Sequence, residues 1–422
     1  GYIVQEGADI SFLFIVKDSF NQELYAEVTA NSALVAGEIV CITVRATDSA
    51  GNVLEETFEF GVLPADYTLV SLFVDGKLWK SEFVTGESIS VSSESEERRF
   101  YGWKDANDVM YTDKFGVLID NLSSINYLEL YACFPTFIST AAELKNIQMD
   151  GRYVLAGDVN LGGAEWTPLG TENSPFIGKF DGNGFIISNF KITTTSAIYV
   201  GLFGYNSGTI KNLGIENFTI KVSHSDTVYV GGLVGYNDGT ITKCYATGDV
   251  SATSTSKSHS YAFTGGLVGK NGGAITNCYA TGDVSATSTS KSNSQAYAYA
   301  GGLVGSNMKT ITNCYAKGNV SATSTSTPDS DYYAIVNAGG LVGNGDVNSS
   351  YRYQYQAFKV IVNGSTSNKP TNKEGTATDL ATLQSVSFHT DTLGWSTDDW
   401  AFVEGSFPTF KGAGTTATIY EK

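Results

Sequence analysis

A repeat runs through the central part of this sequence, and its length restricts the folds open to the chain. Nearly identical segments that start with Gly-Gly-Leu-Val-Gly begin at Gly231 and Gly265, and related copies begin at Gly301 and Gly339. Counting a weaker copy upstream, the Gly-Leu pairs start at residues 201, 232, 266, 302 and 340. Self-similarity at such a period indicates a solenoid, in which each unit buries its apolar face only against its neighbours.

Residue types within the repeat indicate which kind of solenoid forms. Short β-branched and aromatic runs are separated by Gly, Asn and Asp, and no stretch of about 11 residues has apolar residues at helical spacing. We therefore predict a right-handed parallel β-helix of about six coils from near residue 150, with equivalent residues ~4.8 Å apart. Three inward ladders are expected: Ile241, Ile275 and Ile311; Leu233, Leu267, Leu303 and Leu341; and Val250, Val284 and Val320.

One position of the repeat is predicted to be a turn. Asn277 and Asn313 occupy it in two copies, with Lys243 and Asn212 in register. Because Asn tolerates the left-handed backbone conformation, we expect the chain to bend at this point.

Three cysteines share another position of the repeat: Cys244, Cys278 and Cys314. Parallel side chains would hold their Cβ atoms ~4.8 Å apart, beyond the usual range of a disulfide, so we predict small buried apolar residues. Without a Cys-x-x-Cys spacing or an accompanying His, zinc is not expected. Cys41 and Cys133 are expected to lie in different domains and to stay reduced.

The repeat resembles a known family. Gly-Gly-Leu-Val-Gly, a polar turn, an Ile-x-Asn-Cys-Tyr-Ala run and a Gly-Asp-Val are similar to the GLUG repeats of bacterial surface and secreted proteins. Residues 139–170 are similar to the lead-in of such helices, and residues 387–411 to their closing segment. The resemblance implies that residues 136–422 form an extracellular β-helix with a helical N-terminal cap near 139–149. The family includes adhesin-like proteins and non-catalytic parts of some large proteases, so it implies no activity.

Two smaller domains are predicted before the solenoid. Residues 1–63 read as alternating strands and resemble bacterial Ig-like or cadherin-like β-sandwich modules, most clearly in their last hairpin. Asp48 and Asn52 in that hairpin are candidate calcium ligands, although a plain turn in which Asp bonds its own backbone is the favoured interpretation. Residues 64–135 resemble the β-grasp-like repeat first recognised in internalins, with a hairpin predicted at Asp75-Gly76.

Charge and hydropathy limit the partners of the chain. Its net charge of −17 argues against nucleic acid and anionic membranes, which require clusters of Lys and Arg. No apolar run is long enough to span a membrane. We expect a monomeric fragment of a bacterial protein that is secreted or displayed on the cell surface.

Parallel β-helices also include polysaccharide lyases and hydrolases, so an enzyme is the alternative prediction. Lyases need clustered Asp with calcium, and hydrolases need paired carboxylates. Asp249 and Asp283 stack, but the next repeat has Asn319, which favours a structural turn. The three His residues are isolated, and the His-Glu-x-x-His motif of zinc proteases is missing. We therefore predict no catalytic residue, no metal site and no cofactor.

Aromatic residues near the C-terminus are a further candidate for sugar binding. Trp395 and Trp400 lie beside Asp391, Asp398 and Asp399. The favoured interpretation is that both Trp side chains close the C-terminal end of the solenoid.

The variable part of the repeat holds the candidate ligand contacts. Serine and threonine tracts at 251–256, 285–290 and 321–326 would form a hydroxyl-rich face, although three coils are few for ice binding. The return segments gain tyrosines, which are favoured at recognition surfaces. The predicted ligand-binding residues are Tyr261, Tyr297, Tyr299, Tyr332, Tyr333, Thr253, Thr287 and Thr323. Packing of these rings on neighbouring coils is the alternative. The predicted function is a non-enzymatic adhesin, or its stalk, that binds an extracellular glycan or a host surface protein.

Overall fold

The computed structural model divides the chain into two compact units, Gly1–Pro135 and Thr136–Lys422. It describes residues 127–291, 294–326, 334–347, 349–353, 358–363, 365–367 and 376–411. It also describes shorter segments before them: 2–5, 11–17, 23–29, 39–47, 53–63, 68–74, 77–84, 88–89, 101–107, 109–112, 118–119 and 122. For residues 2–63 only the backbone course is described.

The described part of the first unit consists of strands. They are β1 (Tyr2–Gln5), β2 (Ser11–Lys17), β3 (Glu23–Thr29), β4 (Ile39–Thr47), β5 (Val53–Leu63), β6 (Thr68–Val74), β7 (Lys77–Val84), β8 (Trp103–Lys104) and β9 (Tyr127–Ala132). β5 pairs with β1 and β4, β2 pairs with β3, and a four-stranded sheet has the order β7-β6-β9-β8. Trp103, Leu72 and Leu130 are buried in the core beside this last sheet.

The predictions for the first unit are only partly tested. β6 and β7 pair antiparallel up to Val74 and Lys77, which confirms the hairpin at residues 75–76. The Ig-like and β-grasp-like modules stay predictions, as do their boundaries. Asp48 and Asn52, the candidate calcium ligands, lie outside the described residues.

The second unit begins with short strands and one helix. They are β10 (Thr136–Ile138), α1 (Ala141–Lys145), β11 (Arg152–Leu155), β12 (Val159–Glu165), β13 (Lys179–Asp181), β14 (Ile186–Thr194), β15 (Tyr199–Val200), β16 (Phe203–Asn206), β17 (Thr209–His224), β18 (Val228–Gly231), β19 (Val234–Asn237), β20 (Thr240–Ser256), β21 (Ser260–Gly265) and β22 (Val268–Asn271).

The unit continues through the later repeats to the C-terminal segment. The elements are β23 (Ala274–Thr276), β24 (Tyr279–Ala280), β25 (Val284–Ser290), β26 (Ala296–Gly301), β27 (Val304–Asn307), β28 (Ile311–Thr312), β29 (Tyr315–Ala316), β30 (Val320–Thr325), β31 (Ala334–Gly339), β32 (Val342–Asn344), β33 (Tyr351–Tyr353), β34 (Phe358–Val362), β35 (Ser365–Ser367), β36 (Thr376–Thr378), α2 (Leu380–Leu383), a π-helical turn (Phe388–Thr392), β37 (Trp400–Ala401) and β38 (Thr409–Phe410).

These strands form a parallel β-solenoid with three sheets. The long sheet has 17 strands and runs from β10 to β36. The return sheet has the order β15-β18-β21-β26-β31, and the third sheet has the order β16-β19-β22-β27-β32. The predicted all-β solenoid is therefore confirmed. Because the two smaller sheets have five strands each, the solenoid has about five complete turns rather than the six expected. Its right-handed sense stays a prediction.

The predicted inward ladders are present. Ile241 is in register with Ile275, and Ile275 with Ile311. The three valines and the four leucines of the other two ladders are buried at each turn as well. The predicted turn position is also confirmed, since Asn212, Lys243, Asn277 and Asn313 all have φ values between 51° and 56°. Each turn of the solenoid therefore repeats the same inward side chain and the same bend.

A column of asparagines, which the sequence interpretation missed, runs through the interior. Its members are Asn206, Asn237, Asn271 and Asn307. The amide nitrogen of each of the first three donates to the side-chain oxygen of the next Asn, over 2.7–2.8 Å, and Asn307 donates to the Asp346 carbonyl. Each also donates to the carbonyl of the residue two positions ahead, as Asn271 does to Gly273. The column thus joins four successive turns by hydrogen bonds between buried polar groups.

The N-terminal helix is shorter than predicted. α1 spans Ala141–Lys145 rather than 139–149, and β10 before it pairs in parallel with β11. Thr140 and Glu143 form a reciprocal capping box that fixes the start of α1. Asn146 caps the C-terminus of the helix, and the chain then continues to β11, the second strand of the long sheet.

The C-terminal segment does not close the end of the solenoid as predicted. Its rings pack along the flank, on a column formed by Tyr245, Tyr279 and Tyr315, whose stacked rings are 4.9 Å apart. Trp395 and Trp400 are 2% and 1% exposed in this cluster. The segment is anchored at three turns by an ion pair from Lys243 to Asp399, a hydrogen bond from Tyr279 Oη to the Pro408 carbonyl, and one from Trp395 Nε1 to the Asn313 carbonyl. Trp395 and Trp400 are therefore buried structural residues rather than a sugar-binding pair.

Candidate ligand-binding surface

Each full turn of the solenoid has a thin arm in which two strands face each other. From β20 and β21 onward, the end of the long-sheet strand packs on the return strand largely through buried alanine and serine side chains, whereas β17 and β18 use isoleucine and valine there. Ser254 Oγ lies 2.7 Å from Ser260 Oγ, and Ser288 Oγ donates to the Ser260 carbonyl at 2.9 Å. Because these residues face inward, the residues that alternate with them point outward on opposite faces of the arm.

One outer face of the arm has a ladder of threonines. Thr253, Thr287 and Thr323 are in register and half-buried, which confirms their predicted stacking. The serines between the threonines lie inside the arm, where their hydroxyls donate hydrogen bonds to carbonyls in the return strand or just before it. The tract is therefore only partly an outward hydroxyl face, because strand alternation sends every second hydroxyl to the interior.

The opposite face, continued by the third sheet, has a surface of eight aromatic rings, here called the aromatic surface. It consists of Tyr199, Tyr205, Tyr229, Tyr236, Tyr261, Phe263, Tyr297 and Tyr299, all half-buried, with Lys270 among them. The rings form three columns along the solenoid. The first column has neighbouring centroids 5.1–5.2 Å apart, and runs through Tyr199, Tyr229, Phe263 and Tyr299. The second is Tyr205 on Tyr236 at 4.8 Å, and the third is Tyr261 on Tyr297 at 4.4 Å.

Ring orientation determines what this surface offers to a ligand. Within a column the rings are nearly parallel, as in Tyr261 and Tyr297 with an interplanar angle of 3°. The first two columns meet edge to face, since Tyr229 and Tyr236 are inclined at 82°. Ring faces are therefore largely covered by neighbouring rings, and a ligand would meet ring edges and phenolic oxygens.

The structure brings together only part of the predicted site. Tyr261, Tyr297 and Tyr299 belong to the aromatic surface. Thr253, Thr287 and Thr323 lie on the other side of the arm, and Tyr332 and Tyr333 lie outside the described residues. Five rings and Lys270 were missed in the sequence. The signal was available in the repeat, because Tyr205, Tyr236 and Lys270 occupy the same position after the Gly-Leu pair.

Burial raises the pKa of several phenols of the aromatic surface. Burial raises the pKa of Tyr199 to about 12, with a smaller contribution from the negative charge of Glu172. Burial likewise raises the pKa of Tyr299 to about 12, followed by the effect of neighbouring Tyr297. Tyr205 donates a hydrogen bond to Asp238 at 2.8 Å, which adds to the effect of burial in raising its pKa. At neutral pH these side chains therefore act as hydrogen-bond donors and acceptors.

Lys270 takes the place of an aromatic ring in the second column. Its Nζ atom lies 5.3 Å from the centroid of Tyr236, 5.5 Å from Tyr229 and 5.9 Å from Phe263. These are cation–π distances. Within the described part of the chain, no carboxylate forms an ion pair with this ammonium group. A positive charge is thus held between rings, and the negative charges of Asp238 and Glu172 act on the neighbouring Tyr236.

The acidic residues that a catalytic site would need accept hydrogen bonds from the backbone, and the thiols are buried. The Asp283 amide donates to Asp249 Oδ1 at 2.9 Å, and the Asn319 amide donates to Asp283 Oδ1 at 2.8 Å, which confirms the interpretation as a structural turn. Burial raises the pKa of the Cys278 and Cys314 thiols, and both are free. Among the described residues no group of three or more His, Cys, Asp or Glu could hold a metal ion.

Comparison with known proteins identifies the repeat. A model of the GLUG motif matches residues 226–251, 264–285 and 296–321. A protein provisionally named Gly-rich membrane protein, from Evansella cellulosilytica, is 35% identical over 119 residues, which are 25% of this chain and 14% of that protein. Halomucin of Haloquadratum walsbyi is 34% identical over 113 residues, which are 24% of this chain and 1% of halomucin. The chain thus spans a small part of these relatives.

The solved structures include one similar chain, an immunoglobulin A1 protease candidate from Bacteroides ovatus. It is 23% identical, with a TM-score of 0.45 over 66% of this chain and 92% of that chain. In the described part of the present chain, no helix has the length and apolar character needed to cross a membrane. The motif matches coincide with the turns that stack the Ile, Leu, Val and Asn columns, so this chain carries GLUG repeats folded as a parallel β-solenoid.

Proposed function

We propose that this chain is a non-enzymatic binding module of a secreted or surface-displayed protein, of the adhesin type, and that the aromatic surface contacts the ligand. The observation that carries the proposal is the set of eight outward rings, of which the first column continues across four turns. Large outward aromatic patches on soluble domains commonly mark binding sites. Tyr in particular provides wide contact area and a polar hydroxyl at low entropic cost.

A glycan is the ligand class that suits this surface. Neutral phenols donate and accept hydrogen bonds, and sugar hydroxyls do the same. The phenols recur once per turn, so an extended glycan lying along the solenoid would meet similar groups repeatedly. Display outside the cell is supported by the names of the relatives, one a membrane protein and the other a halomucin.

The decisive experiment compares the two faces of the arm. A Tyr229→Ser, Tyr297→Ser, Tyr299→Ser triple variant is expected to weaken binding to a glycan array or to intact cells about tenfold or more, because aromatic contacts dominate most interfaces. The matched control changes Thr253, Thr287 and Thr323 to Ala on the opposite face and should bind like the unaltered chain. Circular dichroism must first show that both variants fold, since each lost ring pair costs about 0.5–1.5 kcal/mol. Equal binding by a folded tyrosine variant would refute the proposal.

The enzyme alternative has its own test. The chain is incubated with a panel of polysaccharides, with and without calcium, while new reducing ends and unsaturated uronate absorbance are measured. We expect no turnover. Robust turnover that is abolished by Asp249→Asn or Asp391→Asn would replace the adhesin proposal with a lyase or hydrolase.

A further inference from the structure

We infer that the ligand of the aromatic surface is positively charged, and that it is a glycan with unsubstituted amino groups. This inference rests on the proposed function and adds the charge of the ligand to it. The groups that contact the amines are three carboxylates at the N-terminal end of the surface: Glu172, Asp226 and Asp238.

Glu172 lies in a tight loop that precedes the second column of rings. Two backbone hydrogen bonds between Thr171 and Ser174, of 2.9 and 3.2 Å, close the loop. The chain on either side of the loop is bridged in parallel to β16, the strand that carries Tyr205. The loop therefore takes the place of a strand residue on the turn before Tyr205, and Glu172 is exposed in it.

Asp238 and Asp226 border the same end of the surface, and both are exposed. Asp238 follows β19, and its Oδ2 atom accepts a hydrogen bond from the Tyr205 hydroxyl at 2.8 Å. Asp226 lies in the turn just before Tyr229, where its Oδ1 atom accepts from the Thr227 amide at 2.7 Å. In the described part of the chain, none of the three carboxylates forms an ion pair.

The negative charges act on the rings. Burial is the largest cause of the raised pKa of Tyr199, Tyr229 and Tyr236, and the charge of Glu172 raises the pKa of all three further. Asp238 acts in the same direction on Tyr236. A hydrogen bond from a neutral phenol leaves the charge of a carboxylate in place. Because this field opposes a negative phenolate, it favours a positive ligand group at the same position.

Lys270 already places one ammonium group against these rings. Its Nζ atom lies 5.3 Å from the centroid of Tyr236 and 5.5 Å from that of Tyr229. The protein thus holds a cation of its own beside the rings on which the carboxylates act. One lysine against three carboxylates leaves an excess of negative charge, which a cationic ligand balances.

A glycan suits this face better than a cationic peptide does. The strands beneath the rings pair with one another within the return sheet and the third sheet, so the face presents side chains rather than backbone hydrogen-bonding groups. A peptide that adds to a sheet needs such groups at an edge. A sugar polymer needs only side-chain partners, which are phenols for its hydroxyls and carboxylates for its ammonium groups.

The test uses three hexasaccharides with the same β-1,4-linked backbone. In weakly acidic buffer the glucosamine hexamer carries ammonium groups while the carboxylates of the protein stay ionised. The N-acetylated hexamer and cellohexaose, in which a hydroxyl replaces each amine, are neutral. By isothermal titration calorimetry on the whole chain, we expect the amine hexamer to bind about tenfold or more tightly than either neutral one, the effect of two or three exposed ion pairs together.

Two double variants separate the local carboxylates from general electrostatics. Glu172→Gln with Asp238→Asn keeps both acceptor oxygens and should lower the preference to about threefold or less, because one exposed ion pair remains. Asp391→Asn with Asp398→Asn removes the same charge from exposed positions of the C-terminal segment and should leave the preference intact. Thermal unfolding in the same buffer checks that both variants are folded.

A lysine variant tests the sign of the charge. Lys270→Gln removes a like charge from the surface, so it should tighten binding of the amine hexamer about threefold and leave cellohexaose unchanged. A site for an anion would respond in the opposite direction.

The outcomes distinguish this inference from the proposed function. Equal affinity for the three hexamers, binding to none of them, an unchanged preference in the Glu172 and Asp238 double variant, or weaker binding of the amine hexamer by Lys270→Gln overturns the inference. A lysine hexapeptide that binds as tightly as the amine hexamer also overturns it, because the surface then takes a cationic peptide. The proposed function is refuted separately, when the tyrosine triple variant binds cells and glycan arrays as well as the unaltered chain does.

Discussion

The buried asparagine column allows a sharp prediction with an isosteric change, Asn271→Asp. The Asn271 amide nitrogen donates to Asn307 Oδ1 at 2.8 Å and to the Gly273 carbonyl at 2.9 Å. In the variant a carboxylate oxygen takes its place, so both donor bonds are lost and two acceptors face it at close range. The side chain is 0% exposed, which prevents water from replacing the lost donors.

The cost follows from the number of groups left without partners. If the new carboxyl is ionised, a buried charge without an opposite charge costs about 3–5 kcal/mol. If it is protonated, its single O–H can satisfy one acceptor and the other stays unpaired, at about 1–3 kcal/mol. Burial raises the pKa of such a carboxyl above its unfolded value of ~3.9. Stability is then highest at low pH and falls as pH rises through the unfolded pKa toward the folded one.

Urea unfolding followed by circular dichroism at several pH values between about 4 and 8 measures both effects. We expect Asn271→Asp to lose stability at every pH, and to lose more at pH 8 than at pH 4. Asn160→Asp is the matched control, because Asn160 is exposed and only its Oδ1 is used, accepting from the Gly162 amide. It should differ from the unaltered chain by less than about 0.5 kcal/mol. A loss below about 1 kcal/mol for Asn271→Asp, or one that is independent of pH, would refute the reasoning.

Three further predictions concern the core and the C-terminal segment. Leu267→Asp should unfold the solenoid locally or fully, since Leu267 is 0% exposed between leucines of adjacent turns, and circular dichroism would detect it. Tyr279→Phe removes the bond to the Pro408 carbonyl at 2.6 Å and should cost about 0.5–1.5 kcal/mol, seen as faster proteolysis of residues 380–411; an unchanged cleavage rate would contradict it. Burial holds the pKa of His389 below its ordinary 6.5, so attachment of this segment should be full above about that pH and weaken as pH falls toward the folded pKa. Tryptophan fluorescence should report this change in the unaltered chain and not in His389→Phe.

Most of the solenoid was predictable from the period of the repeat. Once parallel pairing in register is accepted, a residue that recurs once per repeat must stack on its copies, as Ile241 and Ile275 do. The turn at Asn277 was predictable for a local reason, its tolerance of positive φ. Three of the eight rings of the aromatic surface were predicted. Tyr205 and Tyr236 were missed because they belong to the Gly-Leu part of the repeat rather than to the return segments, in which the tyrosines were sought.

The arm shows why the site could not be completed from the sequence. Strand alternation implies that Thr253 and Ser254 point to opposite sides, but not which side is covered. The return strand decides this, since Ser260 packs against Ser254 and leaves the threonines outside. The same pairing sends Tyr261 to the other face. Residues adjacent in the sequence therefore belong to different surfaces.

The repeat pattern is sufficient to specify the all-β solenoid, its inward ladders and its polar turns, because these depend on local pattern and on the contact of each repeat with a similar neighbour. The tertiary structure alone decided where the unique parts lie. The C-terminal segment reaches back along the flank to Lys243, although 156 residues separate that lysine from Asp399. The side chain of Lys270 likewise lies against three rings on other strands. The contact between Lys243 and Asp399 has no period, so no regularity in the chain could predict it, whereas the place of Lys270 in its column follows the repeat.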